Sequence, residues 1–100
     1  MNLYLDDERT PKTNRPWRIV RNFEEATFFV SLYGIPNYIS FDHDLGEEKT
    51  GYDFAKWLVE LDLNGVHKFP SNFEFNVHSA NPIGAKNIND YLTSYFKAKL

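Results

Sequence analysis

The sequence predicts an α/β fold, a three-layer sandwich with about four parallel strands and a reduced set of helices. Two observations predict it. Short β-forming runs alternate with amphipathic helical segments, in the order strand, loop, strand, helix, strand, helix, strand, helix. Three of the strands also end in polar or titratable clusters, the position at which open α/β sheets gather their ligands.

Leu3 to Leu5 forms the first strand, followed at once by Asp6, Asp7 and Glu8. Arg9 to Pro16 holds two prolines and no hydrophobic period, so it reads as a loop. Trp17 to Val20 is the second strand. A parallel neighbour needs a crossover of about a dozen residues, usually helical, and this loop meets that minimum without a helix. Asn22 caps a helix with Glu25 in the capping-box position; Phe23, Ala26, Val30 and Tyr33 form its inward face, and Gly34 ends it. Tyr38, Ile39 and Phe41 form the third strand, which runs into Asp42, His43, Asp44 and the Leu45-Gly46 turn. Thr50 and Asp53 repeat the capping box. Phe54, Trp57, Leu58 and Leu61 then give the cleanest amphipathic stripe in the chain, stopped by Asn64-Gly65. Phe73, Phe75 and Val77 alternate with Glu74 and Asn76 in a fourth strand ending in His78, Ser79, Ala80 and Asn81. Asn81-Pro82 opens the last helix, with Ala85, Ile88, Leu92 and Tyr95 facing inward.

A chain of 100 residues with 42% hydrophobic and 17% aromatic content is read as a single domain over residues 1–100 with one modest core. A net charge of −3 argues against bulk binding of duplex DNA. The absence of cysteine removes disulfide and thiolate chemistry. No apolar run approaches the ~18 residues of a membrane span and no signal-like segment is visible, so a cytoplasmic domain without a membrane partner is expected.

Carboxylates at the end of a buried strand are costly unless a cation or metal compensates them. Asp6, Asp7, Asp42 and Asp44 offer the hard oxygen ligands that Mg²⁺ or Mn²⁺ prefers. His43 and His78, on neighbouring strand ends, have the titration range of a general base and acid. Ser79, and backbone amides from Asn81 to Gly84 at a helix start, suit phosphoryl oxygens, and Gly84 leaves room for close approach. Arg9 lies nearest the acids and is the loop cation expected to meet an anionic substrate. His67 falls outside every cluster and receives no role.

LYLDDE, the D-x-x-L-G spacing from Asp42 to Gly46, and the strand ending HSA resemble a response-regulator receiver domain. That resemblance implies Asp6 and Asp7 as metal ligands, Asp42 as the central acid and Ser79 as the phosphoryl-contacting hydroxyl. The chain departs from receivers in lacking a first crossover helix and a fifth strand with its lysine, for which Lys86 would substitute. It also adds His43 and His78. The fuller signature is closer to the cyclic-phosphate processing receiver-like domains. It resembles them in LYLDDERTP, in W-x-x-V-R-x-F-E-E-A from Trp17 to Ala26, and in ISFDHDLG, TGYD and VHSANPIGAKN. The resemblance implies a receiver/flavodoxin-like fold. It also implies the processing of a cyclic phosphate on a small phosphorylated substrate, a cyclic nucleotide or an RNA terminal cyclic phosphate. The strand-end residues themselves suggest a metal-dependent phosphoesterase with Asp42, His43 and His78 as its catalytic residues. The alternatives are a divergent receiver whose Asp42 accepts a phosphoryl group, and a non-catalytic phosphate-binding module.

Overall fold

A computed structural model describes residues 1–99. Seven elements follow in order: β1 (Asn2–Leu5), β2 (Trp17–Val20), α1 (Phe23–Tyr33), β3 (Tyr38–Phe41), α2 (Gly51–Asn64), β4 (Glu74–Val77) and α3 (Pro82–Lys99). The strands form one parallel sheet in the order β2-β1-β3-β4. The α/β class, the four parallel strands and the reduced helix set are as the sequence predicts. The long stretch from Asp6 to Pro16 contains no helix.

The helices begin and end where the local chemistry directs. Asn22 accepts the Glu25 N–H at 2.8 Å and caps α1. Glu25 does not complete the predicted box; its carboxylate takes the N–H of Arg21, one residue earlier. Thr50 and Asp53 do form a reciprocal box at the start of α2, and Gly65 closes that helix in the left-handed conformation. Asn81 takes the Gly84 N–H at 3.0 Å at the start of α3.

Strand order and handedness decide which face each crossover covers. The steps β2-α1-β3 and β3-α2-β4 cross the sheet in one direction, so right-handed connections put α1 and α2 on the same face. There α1 packs on α2 and α2 on α3. One core joins Ala26, Phe29 and Val30 of α1, Phe54, Ala55, Leu58 and Val59 of α2, and Ile88 and Leu92 of α3 to Leu3, Leu5, Ile39 and Phe41 of the sheet. The step from β1 to β2 runs the other way, so its crossover falls on the opposite face. Because that crossover is a loop, the second covering layer is irregular chain rather than a helix.

The register sorts the side chains accordingly. Leu3, Ile39 and Phe75 lie level across the sheet, as do Leu5, Phe41 and Val77, and these rows point toward the helices. Tyr4, Ser40 and Asn76 form the alternate row on the face without helices. Among the described residues, no helix is long and apolar enough to cross a membrane.

Candidate functional site

The ladder continues one residue past each strand. Asp6 donates its N–H to Val20, Asp42 to Leu5 and His78 to Phe41, all at 2.9–3.1 Å. Asp6, Asp42 and His78 are therefore level with one another on three adjacent strands. They alternate with the core row Leu5, Phe41 and Val77, so they share the helix-free side of the sheet. Neighbouring parallel strands lie about 4.8 Å apart, and the three side chains bring one ligand-type atom each within 4.8 Å of the others. Residues separated by up to 72 positions thus meet because the register aligns them.

Asp6 is fully buried and every oxygen is engaged. Its Oδ1 accepts the backbone N–H groups of Glu8 and Arg9 at 3.0 and 2.9 Å. Its Oδ2 accepts Arg9 Nε at 2.9 Å and lies 3.0 Å from His78 Nε2. Burial alone would raise this carboxyl, but the two backbone donors, His78 and the Arg9 charge outweigh it and hold the pKa below the ordinary value. Asp42 is 5% exposed and less well served. The His43 N–H reaches its Oδ1 at 2.9 Å, and the Arg9 guanidinium stands 3.5 Å away. Burial, with the Asp6 charge adding to it, pushes the Asp42 pKa up.

His78 bridges Asp6 to the sheet. An ionised Asp6 can only accept, so Nε2 carries the proton and Nδ1 accepts from the Ser40 hydroxyl at 2.7 Å. The Tyr4 ring stacks on the imidazole at 4.4 Å, nearly parallel. Burial lowers the His78 pKa, with Asp6 opposing, so the neutral ring dominates at pH 7. Both nitrogens are spoken for, and in this arrangement His78 orients Asp6 without presenting a free lone pair.

His43 turns toward α3. Its Nδ1 meets Asp44 Oδ1 at 2.9 Å, and its ring lies over the bare Cα of Gly84, where a Cβ would stand 2.3 Å from the ring. The room expected at Gly84 for a ligand is thus filled by His43. The amide cradle expected from Asn81 to Gly84 is also largely consumed. Ser79 Oγ takes the Asn81 N–H, Pro82 has none, and Asn81 Oδ1 takes that of Gly84. Ser79 borders the cleft and, having only accepted, keeps its hydroxyl proton to donate. Asn81 ties this turn to the β3 end by donating to Asp44. The hydrogen bond from His43, helped by Asn81, lowers the Asp44 pKa. Lys86 is exposed, pairs with Asp90 on its own helix and borders neither cleft, so it does not replace the receiver lysine here.

Two clefts meet at Glu8 and Arg9. The smaller, about 450 Å³, is bordered by Asp7, Asp42, Asp44, Ser79 and Gly46. Asp7, Asp42 and Asp44 bring carboxylates to this cleft, but the group of described residues whose ligand atoms lie close enough to share one ion is Asp6, Asp42 and His78. In that group Asp6 Oδ2 is taken by Arg9 and by His78, so an ion there would displace one of these contacts. The larger cleft, about 680 Å³, lies against the helix-free face between the Arg9–Pro16 loop and Tyr4, Trp17, Tyr38, Ser40, Asn76 and His78.

Sequence reasoning missed Ser40, Tyr4 and Arg21. Arg21 Nη1 donates to the carbonyls of Asp6 and Arg9 at 3.1 and 2.6 Å and pins the loop beside the acids. The available signal was alternation: Tyr4 and Ser40 sit between core residues on β1 and β3 and had to face the other side.

A model of the cyclic-phosphate processing receiver domain matches residues 1–94. No curated protein sequence and no solved structure is significantly similar to the chain.

Proposed function

The chain belongs to the cyclic-phosphate processing receiver domains, and from that membership we propose that the strand-end cleft hydrolyses a cyclic phosphodiester on a nucleotide or RNA end in a metal-dependent reaction. One observation carries the reading. Asp6, Arg9, Asp42 and His78 form a single connected group, with a cation held between two carboxylates at the lip of a cleft.

Arg9 serves the phosphoryl oxygens. Asp6 fixes its Nε and leaves other guanidinium N–H groups for the substrate, and the side chain is 46% exposed. Ser79 donates a further hydrogen bond. Asp42, with its pKa raised by burial, is the proton acceptor for the attacking water. Attack at phosphorus breaks one ring P–O bond, and the departing oxygen needs a proton. Asp42, having taken the proton of the water, returns it to that oxygen; His43 borders neither cleft, and its Nδ1 holds Asp44. His43 and His78 are therefore assigned positioning roles, on Asp44 and on Asp6. Asp7, Asp42 and Asp44 border the same cleft and would have to close in to hold Mg²⁺ or Mn²⁺, which when bound would supply charge neutralisation for the phosphoryl group.

The test is a panel of cyclic mononucleotides, 2′,3′-cyclic phosphates and ADP-ribose cyclic phosphate, incubated with Mg²⁺ or Mn²⁺ and resolved by chromatography. A ring-opened monoester is expected from at least one compound, with kcat/KM reduced at least ~100-fold in Asp42→Asn and in Arg9→Ala. Full turnover in both variants, or no product from any compound, overturns the proposal.

A further inference from the structure

The larger cleft owes its existence to the missing crossover helix, and its lining is unlike that of the strand-end site. Trp17 and Tyr38 stand side by side with centroids 5.7 Å apart, both only partly covered, while Tyr4 closes the inner wall edge-on to Trp17 at 5.5 Å. The Arg15 guanidinium lies 4.3 Å from the centre of the Tyr38 ring and 5.9 Å from that of Trp17. Asn76, at the sheet edge, is exposed and offers an amide donor and acceptor. Flat aromatic surface, a planar cation above it and an amide at one side are the elements that bind a heteroaromatic ring by stacking and edge contact. The volume of about 680 Å³ falls within the range of small-ligand sites. Glu8 and Arg9 belong to both clefts, so a molecule whose phosphate meets Arg9 can extend its other end onto this face.

We propose that this cleft is a nucleobase subsite: the base of the phosphorylated nucleotide displaces the Arg15 guanidinium from the Tyr38 face and stacks on Trp17 and Tyr38 with Arg15 closing over its outer face, while its phosphate meets Arg9. The inference rests on the proposed reaction for the identity of the phosphate end. It adds that the base is itself recognised, and that this occurs on the sheet face without helices. A free nucleotide and the last nucleotide of an RNA present the same chemistry here.

Trp17 fluorescence reports on the subsite directly, in a Trp57→Phe background that leaves Trp17 as the sole tryptophan. Titration with 2′,3′-cyclic AMP, with 5′-AMP and with a short RNA ending in a 2′,3′-cyclic phosphate should quench Trp17. The base-less ribose 2′,3′-cyclic phosphate should bind at least about tenfold more weakly than 2′,3′-cyclic AMP. Calorimetry of single variants should show affinity for 2′,3′-cyclic AMP falling about tenfold in Trp17→Ala and in Arg15→Ala. Trp17→Phe, which retains a stacking ring, should keep it. Arg15 is on the loop, so its variant guards against a Trp17→Ala chain that fails to fold. Equal affinity with and without the base, or undiminished binding in Arg15→Ala and Trp17→Ala, overturns the subsite. If 5′-AMP binds in a Trp17-dependent way while no cyclic phosphate is opened, the subsite stands and the reaction fails. If base-less and base-carrying rings are bound and opened alike, the reaction stands and the subsite fails.

Discussion

Asp42 has fewer donors than its neighbour Asp6: one backbone N–H at 2.9 Å and a guanidinium at 3.5 Å. Burial and the neighbouring Asp6 charge raise its pKa, and the direction of that shift fixes its effect on stability. Below the ordinary carboxylate pKa the group is protonated in both folded and unfolded chains, and the stabilisation linked to the raised value is fully present. As the pH climbs through the elevated folded pKa, the native state must hold a poorly compensated charge and that stabilisation is lost. Asp42→Asn should therefore raise the unfolding free energy at pH 7 by on the order of 1 kcal/mol. The gain should shrink toward zero as the pH falls below the carboxylate range. Urea denaturation of both chains across pH 3 to 8 measures it, and a variant less stable than the wild type at pH 7 refutes it. The same substitution that removes turnover would then strengthen the fold, as expected where a charge is retained for chemistry. His78 works in the opposite sense. Its pKa is lowered chiefly by burial, so the stability linked to it is present above 6.5 and is lost as the pH falls below that value.

At the scale of elements, the joints matter more than the elements themselves. Gly51 opens α2 and donates its N–H to the His43 carbonyl at 2.8 Å, which presses the helix start onto the end of β3. A Cβ at Gly51 would lie 1.8 Å from the Asp42 carbonyl oxygen, so helix and strand would have to separate. At Gly84 the obstacle is only the His43 ring, which can rotate away. Gly51→Ala should cost about 3 kcal/mol, and Gly84→Ala about 1 kcal/mol with displacement of the His43 ring signals in an NMR spectrum. Equal costs would contradict this account of the two joints. The contrast also marks what could be read in advance. The caps at Asn22, Thr50 and Asn81, the stripe from Phe54 to Leu61 and the strand runs are local patterns, and each stands where the sequence places it. The demand for glycine at position 51 is not local, since it arises from a carbonyl nine residues earlier that only the completed turn brings close. Gly84 was read correctly as a place of close approach, but its occupant is a side chain from the neighbouring strand end. Asp6, Asp42 and His78 were expected at one site because each follows a strand. The hydrogen bond between Ser40 and His78 depended on the register of β3 against β4, which periodicity alone does not specify.

Across the whole molecule, polar groups are concentrated at two opposite ends of the helical layer. The strand-end cluster lies at the carboxyl edge of the sheet, where α2 begins. At the far end of α2, Asp62 is fully buried. It accepts the Phe69 N–H at 3.0 Å, Lys99 Nζ at 2.7 Å and the Tyr95 hydroxyl, with Lys68 3.5 Å away. Burial would raise the Asp62 carboxyl, but Lys99, Tyr95 and the Phe69 N–H overcome this and hold it far below the usual range, while burial and Asp62 push the Tyr95 hydroxyl up to about 12. This cluster fastens the end of α3 and the α2–β4 connection to the body, and it borders neither cleft. Helical spacing gives no sign of it, because an acid in the last turn of α2 looks like an ordinary solvated charge. Asp62→Ala leaves Lys99 and Tyr95 without their shared acceptor and should lower the unfolding free energy by about 3 kcal/mol at pH 7. Because the folded pKa is depressed, the wild-type advantage is present above the ordinary carboxylate pKa and is lost as the pH falls below it, so the two stability curves should converge in acid. At a temperature where both chains remain folded, ring opening by Asp62→Ala should equal that of the wild type. If the variant instead loses turnover while still folded, the cluster and the cleft are coupled through α2, and the helix must be treated as part of the site.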